Sequence, residues 1–192
     1  ALCGISDSFE EAVMKMNQLF GVEGSILPVT NDNVRLKATL DTGEVISGES
    51  NIGHVSSGRI EHVEIIPKDA GPAENVLDAI ADADMIILGP GSLYTSVIPN
   101  LLVRDISPAI AVSSAKKVYV ANIMTQPDET IGHTLYDHME AIERHAGCHI
   151  IDTVVANTQK IPDFLLEKYA LEHSVPVELD IEKFMDSDIN IV

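Results

Sequence analysis

Short, continuous apolar runs alternate with amphipathic segments through the last two-thirds of the chain. Met85 to Leu88 is the clearest run, and Val118 to Ile123 is a second one that only Asn122 interrupts. Between Leu135 and Ala146 the apolar residues recur at helical spacing. Apolar strands that alternate with amphipathic helices are typical of a parallel sheet covered by helices on both faces. Everything after Pro67 is therefore predicted to be α/β, with further strands at residues 152–156, 175–179 and 189–192.

The segment before Pro67 has a different period. Between Val34 and Leu40, apolar residues alternate with polar ones, which indicates a strand with one buried face. Thr42-Gly43 then supplies a turn, so residues 24–67 are predicted to form an antiparallel β-rich insertion. Residues 1–192 together are predicted to form one α/β domain, long enough to bury a sizeable core.

Charge and composition exclude several classes of protein. The sequence has 30 acidic and 12 basic residues, and its formal charge of −18 would repel nucleic acid and anionic membrane surfaces. No apolar run approaches the roughly 20 residues that cross a bilayer, so the protein is predicted to be cytoplasmic. Cys3 and Cys148 are predicted to be buried thiols. His145 and His149 are predicted to be imidazoles at the surface, and no metal site is predicted.

Three successive strand ends carry small or uncharged polar residues. They are the turn from Gly89 to Ser92, then Asn122 with Thr125, and then Asn157. Ligands of an open parallel sheet bind beyond the carboxyl ends of its strands, so these residues are predicted to line one ligand-binding site. The acidic pair that follows Pro127, Asp128-Glu129, is predicted to solvate the surface, and a place at the site is its less favoured alternative.

The Gly-Pro-Gly-Ser turn has the features of a phosphate-binding loop. Gly91 allows the backbone to approach a ligand closely, and the free N–H groups of the helix that follows would point at that ligand. Ser92 and Thr95 add hydroxyl groups. The turn lacks the Lys-Ser/Thr of a P-loop and the third glycine of a dinucleotide fingerprint. On local grounds, a plain strand-to-helix turn accounts for it equally well.

Several stretches of the sequence resemble one known family. The main three are LGPGSLYTSVIPNLLV from Leu88, VYVANIMTQPDET from Val118 and IPDFLLEKYALEHSVPVELD from Ile161. Together with GESNIG from Gly48, they are similar to the bacterial gluconeogenesis factors, called YvcK-like, which are relatives of the 2-phospho-L-lactate transferase CofD. The first stretch is the most specific, and the resemblance covers nearly the whole chain.

The resemblance implies a fold, a ligand and a role. The fold is Rossmann-like, and the protein is a cytoplasmic homodimer that binds UDP-sugars such as UDP-N-acetylglucosamine. The role is that of a non-catalytic regulator, needed for growth on gluconeogenic carbon sources and for cell shape, with the UDP-sugar as its ligand. By motif match, Tyr169 would contact the sugar. The phosphates would be contacted by Gly89, Gly91, Ser92, Thr95 and Asn100.

Two other classes of function stay open. One is a phosphate-ester transferase of the CofD type, which acts on a nucleotide-activated phosphoacid with Mg²⁺ between the phosphates. The other is an interaction module that needs no pocket. After the Gly-Pro, this sequence continues differently from the transferases, which have Asn-Pro in place of Leu-Tyr, and this difference favours the regulator.

Both ends of the chain look cut. A family member is expected to begin with a Gly-rich strand-to-helix turn and an Asp-Asp-Gly-Gly segment, and to continue past Val192 to a basic helix. None of these features occurs in the sequence. They would supply the first phosphate turn, the acidic metal-binding residues and a sugar-contacting arginine, so the 192 residues are expected to hold only part of a binding site.

Overall fold

Among the described residues, the chain forms one antiparallel and one parallel sheet. The computed structural model describes residues 6, 9–21, 23–53, 58–185 and 187–192. Helix α1, Phe9–Phe20, comes first. The antiparallel sheet has the strand order β2-β1-β3, where β1 is Arg35–Leu40, β2 is Val45–Ser47 and β3 is Ile60–Ile66. Helix α2, Glu49–Ile52, lies between β2 and β3. The predicted antiparallel insertion is therefore confirmed.

The rest of the chain forms a parallel sheet with helices between its strands. The strand order is β4-β5-β6-β7, so the predicted α/β class is confirmed. In the part of the chain that the structure describes, no helix is both long enough and apolar enough to cross a membrane. The elements are α3 Val76–Ala81, β4 Met85–Leu88, a π-helical turn Leu93–Val97, α4 Ile98–Leu101, α5 Ile106–Val112, β5 Lys116–Val120, α6 Leu135–Ala146, β6 Thr153–Val155, α7 Asp163–Ala170, a 3-10 helix Ile181–Phe184 and β7 Asn190–Ile191.

The register of the parallel strands places their carboxyl ends side by side. Leu88 of β4 pairs with Tyr119 of β5, which pairs with Val154 of β6, and all three side chains are buried. On the opposite face of the sheet, Met85 and Ile87 of the edge strand β4 are 52% and 57% exposed. Because strands β4, β5 and β6 end at the same level, the loops that follow them converge on one edge of the sheet.

Helix α6 ties the parallel part of the fold to the antiparallel sheet through His145. The Nδ1–H group of His145 donates to the carbonyl of Ala141 at 2.6 Å, and its Nε2 atom accepts the N–H of Val63 in β3 at 3.0 Å. Burial lowers the pKa of His145 from 6.5 to about 4. The prediction that His145 is a surface imidazole is therefore wrong, because this side chain is the hydrogen-bond acceptor for a buried strand.

Residues 175–179, predicted as a strand of the sheet, do not join either sheet. Their backbone pairs locally with the loop that follows β5, where the N–H of Thr125 donates to the carbonyl of Val175 at 2.7 Å. Pro176 has no N–H, so the segment cannot form a continuous ladder. Its effect is to hold in place the loop that carries part of the predicted site.

Candidate ligand-binding site

The loop that follows β4 owes its shape to Gly89. This residue has a φ of +74°, and a Cβ atom on it would lie 2.9 Å from the carbonyl oxygen of Val120. Gly91 lies outside the left-handed region, and a Cβ atom there would meet Ser96 and Val97 only at 3.7 Å, an ordinary contact. The position that requires glycine is thus Gly89 rather than Gly91, because Gly89 is where the loop crosses the backbone of β5.

Asn122 fixes the other side of this loop. Its Oδ1 atom accepts the N–H of Gly91 at 3.3 Å, and its Nδ2 group donates to the carbonyl of Gly91 at 2.9 Å. The two strand ends predicted to converge are therefore joined directly. The same contact means that the N–H of Gly91 already has a partner within the protein.

Glu129 occupies the start of the helical turn after the loop. Its Oε2 atom accepts the N–H of Tyr94 at 3.2 Å, and its Oε1 atom accepts the hydroxyl of Thr95 at 2.6 Å. The side chain is only 4% exposed, and burial raises its pKa. The prediction that this acidic pair only solvates the surface is therefore wrong for Glu129. The carboxylate of Glu129 thus accepts the backbone N–H of Tyr94, one of the helix N–H groups that were predicted to bind a phosphate.

A cleft at the carboxyl ends of β5 and β6, here called the Tyr169 cleft, brings together three of the predicted residues. It consists of two adjoining cavities of about 470 and 260 Å³ that share Ile123, Met124, Asn157 and Tyr169. Asn122 borders the larger cavity. The Tyr169 side chain is 38% exposed and projects from α7, a helix that has no buried residue. Most other walls of the cleft are apolar: Pro90, Val120, Ala121, Val155, Ala156, Ile161, Pro162 and Leu165.

A second cavity, here called the Glu129 cavity, lies on the other side of the loop. Its volume is about 450 Å³. It contains Ser92 and Thr95, which were predicted as phosphate ligands, together with residues that the sequence did not indicate. The loop thus separates two cavities, with Pro90 in the wall of one and Ser92 in the wall of the other. The lining residues are Glu49, Ser50, Gly53, Ser92, Thr95, Ser96, Gln126 and Glu129.

Two predicted residues stabilise the structure around the site and are not among the residues that line these cavities. Asn100 is exposed, and its Nδ2 group donates to the carbonyl of Ser96 at 2.6 Å. Thr125 is 3% exposed, and its hydroxyl accepts the N–H of Val175 at 3.0 Å. Both side chains are committed to the backbone, so a direct ligand contact would require them to give up these hydrogen bonds.

Sequence reasoning missed Glu49 and Gln126, and it favoured a solvated surface position over a place at the site for Glu129. Glu49 belongs to the GESNIG stretch, whose sequence resembles the family but indicates no role for this residue. Gln126 and Glu129 follow the same strand end as Asn122, so their position beyond β5 was the available signal. Acidic residues in a loop beyond a parallel strand lie where such sheets bind their ligands.

The described residues offer no ready-made metal centre. They include no group of three or more His, Cys, Asp or Glu side chains that could hold a metal ion. Cys148 is a half-buried free thiol, and Cys3 lies outside the described residues. Mg²⁺ is usually held by one or two carboxylates together with substrate phosphates, so this finding concerns only metal centres built entirely from protein ligands.

The comparison with protein families decides the relationship. The model of the family described as 2-phospho-L-lactate transferase CofD matches residues 1–192. The chain belongs to the CofD family. This result confirms the resemblance drawn from the Gly-Pro-Gly-Ser stretch and its neighbours, and it extends that resemblance over the whole sequence.

Within the CofD family, the chain is similar to proteins named gluconeogenesis factors. It is 42% identical over 192 residues to the gluconeogenesis factor of Bacillus subtilis, covering all of this chain and 60% of that protein. It is 41% identical over 182 residues to the gluconeogenesis factor of Halalkalibacterium halodurans, covering 95% of this chain and 56% of that protein. The chain thus spans about three-fifths of the length of these relatives.

A solved structure shows the same fold. The crystal structure of a UPF0052 family protein from Bacillus halodurans superposes with a TM-score of 0.95 at 39% identity, covering 100% of this chain and 61% of the other. The arrangement of a parallel sheet beside a separate antiparallel sheet is thus shared with a family member of known structure.

Proposed function

We propose that this CofD-family protein is a regulator that binds a UDP-sugar of the UDP-N-acetylglucosamine type. In this proposal it supports growth on gluconeogenic carbon sources and the maintenance of cell shape. The similarity to gluconeogenesis factors supports the role. The observation that carries the ligand is the Tyr169 cleft, which lies where an open parallel sheet binds its ligands.

The chemistry of the cleft suits a nucleotide sugar. The ring of Tyr169 offers a flat, partly exposed surface that can stack on a base or a sugar. Asn122 and Asn157 each use one amide hydrogen and one oxygen lone pair on backbone groups, those of Gly91 and Gln159 respectively. Each amide keeps one donor and one lone pair, as the edge of a uracil requires. The apolar walls exclude water from the remaining surface of such a ligand.

The same lining favours binding over catalysis. The residues that line the Tyr169 cleft include no carboxylate and no imidazole. They include one cation, Lys160, whose Nζ atom lies 3.4 Å from the Oδ1 atom of Asp163 in an exposed pair. General acid–base catalysis needs a titratable group within reach of the substrate. In the described walls of the cleft, the only titratable side chains are those of Lys160 and Tyr169.

The second candidate function is a CofD-like transferase. It is favoured by the family model, whose description names such an enzyme. The two candidates differ in the ligand they require, since a transferase needs a nucleotide-activated phosphoacid and Mg²⁺, whereas the regulator binds its UDP-sugar without reacting with it. The protein's predicted cytoplasmic location and homodimeric state are part of the proposal under either candidate.

Thermal melts of the full-length protein test the proposal. UDP-N-acetylglucosamine should raise the melting temperature, because a ligand that binds only the folded state stabilises it by about 2.7 kcal/mol at a concentration 100 times its Kd. GDP and NAD at equal concentration should have a much smaller effect. Stabilisation by GDP alone, and only with Mg²⁺ present, would instead support the transferase.

A further inference from the structure

The Glu129 cavity differs in chemistry from the Tyr169 cleft. Seven of the eight residues that line it have polar side chains, and Gly53 is the exception. These seven comprise four hydroxyls, two carboxylates and one carboxamide. The Tyr169 cleft, by contrast, is mainly apolar with two side-chain amides in its larger cavity. A ligand that extends across the loop from one to the other must be flat or apolar at one end and rich in hydrogen-bonding groups at the other.

The charges of the Glu129 cavity disfavour an anion. Its lining contains Glu49 and Glu129 and, among the described residues, no lysine, arginine or histidine. The formal charge of −18 on the whole chain adds to this repulsion. Carboxylate oxygens accept hydrogen bonds and donate none, so these walls favour a neutral ligand with several donors.

Glu129 keeps capacity to accept a hydrogen bond from such a ligand. A carboxylate has about four lone-pair sites. Oε1 accepts from the hydroxyl of Thr95 at 2.6 Å and lies 3.5 Å from the Nε2 group of Gln126, and Oε2 accepts the N–H of Tyr94 at 3.2 Å. The backbone N–H of Thr95 also donates to the carboxylate, so three donors occupy it at close range. In the described structure, no cation forms an ion pair with this buried carboxylate. A buried carboxylate without a cation is costly, which is typical of groups kept for function.

We infer that the Glu129 cavity binds a neutral, hydroxyl-rich group such as a sugar ring. In this inference, the hydroxyls of the ligand donate to Glu49 and Glu129. They accept from Gln126 and from the hydroxyl side chains of the cavity. If the group is the sugar of the bound UDP-sugar, this inference rests on the proposed function and adds the place of the sugar to it. A free sugar or polyol is the other source of the same chemistry.

The loop geometry allows one ligand to reach both cavities. Pro90 lines the Tyr169 cleft and Ser92 lines the Glu129 cavity. Two residues span at most about 7 Å of extended chain, so the two walls lie close together. The diphosphate would cross the loop at Gly91, with the nucleoside beside Tyr169 and the sugar beside Glu129. Tyr169 then contacts the nucleoside, whereas the family resemblance assigned it to the sugar.

Calorimetric titration of the full-length protein tests the inference with three ligands, UDP-N-acetylglucosamine, UDP and free N-acetylglucosamine. Glu49→Gln and Glu129→Gln remove one carboxylate each from the cavity. Glu44→Gln is the matched control, because this exposed carboxylate lies in the turn between β1 and β2 and does not line the cavity. A thermal melt of each variant accompanies the titrations. Glu49 is exposed, so its substitution tests the cavity even if Glu129→Gln impairs folding.

Each cavity variant should weaken UDP-N-acetylglucosamine binding about tenfold or more, because it loses an acceptor for a hydroxyl. UDP binding should stay unchanged or become tighter, since a negative charge near the phosphates is removed. Equal affinities for UDP-N-acetylglucosamine in the parent, cavity and control proteins would overturn the inference and leave the proposed function standing.

The remaining outcomes separate the two claims. Binding of free N-acetylglucosamine with the same dependence on Glu49 and Glu129, but no binding of either uridine ligand, would support the sugar cavity and contradict the proposed function. A parent protein that binds none of the three ligands would contradict both. Looser binding of UDP as well as of UDP-N-acetylglucosamine in the cavity variants would place the phosphates in the cavity and overturn the inference.

Discussion

Acid should destabilise the protein through His145. The imidazole is neutral in the folded state because its Nε2 atom accepts the N–H of Val63 at 3.0 Å, and an imidazolium has no acceptor nitrogen. Burial lowers the pKa of His145 from 6.5 to about 4. A histidine with a lowered folded-state pKa contributes stability that is fully present above pH 6.5 and is lost as the pH falls from there towards 4.

The size of this loss follows from the shift of the pKa. Each pKa unit corresponds to about 1.4 kcal/mol, so the contribution of His145 amounts to about 3 kcal/mol in full. Between about pH 7.5 and about pH 5, the unfolded chain takes up the proton and the folded chain does not, which removes about 2 kcal/mol. Burial also lowers the pKa values of His133 and His138, so their contributions have the same sign.

Urea unfolding, followed by circular dichroism at several pH values, measures this dependence. In His145→Gln, the loss of unfolding free energy between about pH 7.5 and about pH 5 should shrink by about 2 kcal/mol relative to the parent. The control is His173→Asn, which removes an exposed imidazole at a left-handed position, φ 60°, that Asn tolerates. The same pH-dependent loss in His145→Gln and the parent would refute the reasoning.

Four further substitutions test the loop and the antiparallel sheet. Gly89→Ala should lower the unfolding free energy by about 2 kcal/mol or more because of its positive φ, whereas Gly91→Ala should be nearly neutral; urea unfolding compares the two directly. Asn122→Ala should cost about 1 to 3 kcal/mol by removing both hydrogen bonds to Gly91, and an unchanged urea midpoint would show that the clamp contributes nothing. Glu64 is paired with Lys37 and Lys68, which lower its pKa to about 2, so Glu64→Gln should destabilise by about 1 kcal/mol at low ionic strength and by less in salt. A loss that does not depend on salt would contradict this explanation.

The architecture was predictable because it depends on local patterns. Apolar runs such as Met85–Leu88 and the helical spacing from Leu135 to Ala146 depend only on neighbours in the sequence. The same holds for the strand Arg35–Leu40, whose alternation predicted one buried face. The prediction failed at residues 175–179, where the apolar residues suggested a sheet strand but Pro176 prevents regular pairing.

The site was predictable only in outline. The convergence of Asn122 and Asn157 followed from the rule that ligands bind at strand ends, whereas the family resemblance indicated Tyr169. The burial of Glu129 did not, because its backbone partner Tyr94 lies 35 residues earlier in the chain. His145 escaped notice for the same reason, since Val63 is 82 residues away. Side chains that satisfy distant backbone groups leave no periodic signal in a single sequence.

The most direct test of the central claim is calorimetric titration of UDP-N-acetylglucosamine into the full-length protein and two variants of helix α7. Tyr169→Ala removes the ring that borders both cavities of the cleft, and Phe164→Ala removes a 69% exposed ring from the same helix outside it. The account predicts saturable binding to the parent and to Phe164→Ala, and affinity weaker by about tenfold in Tyr169→Ala with the fold intact. Equal affinity in all three proteins, or no binding to the parent, would contradict it.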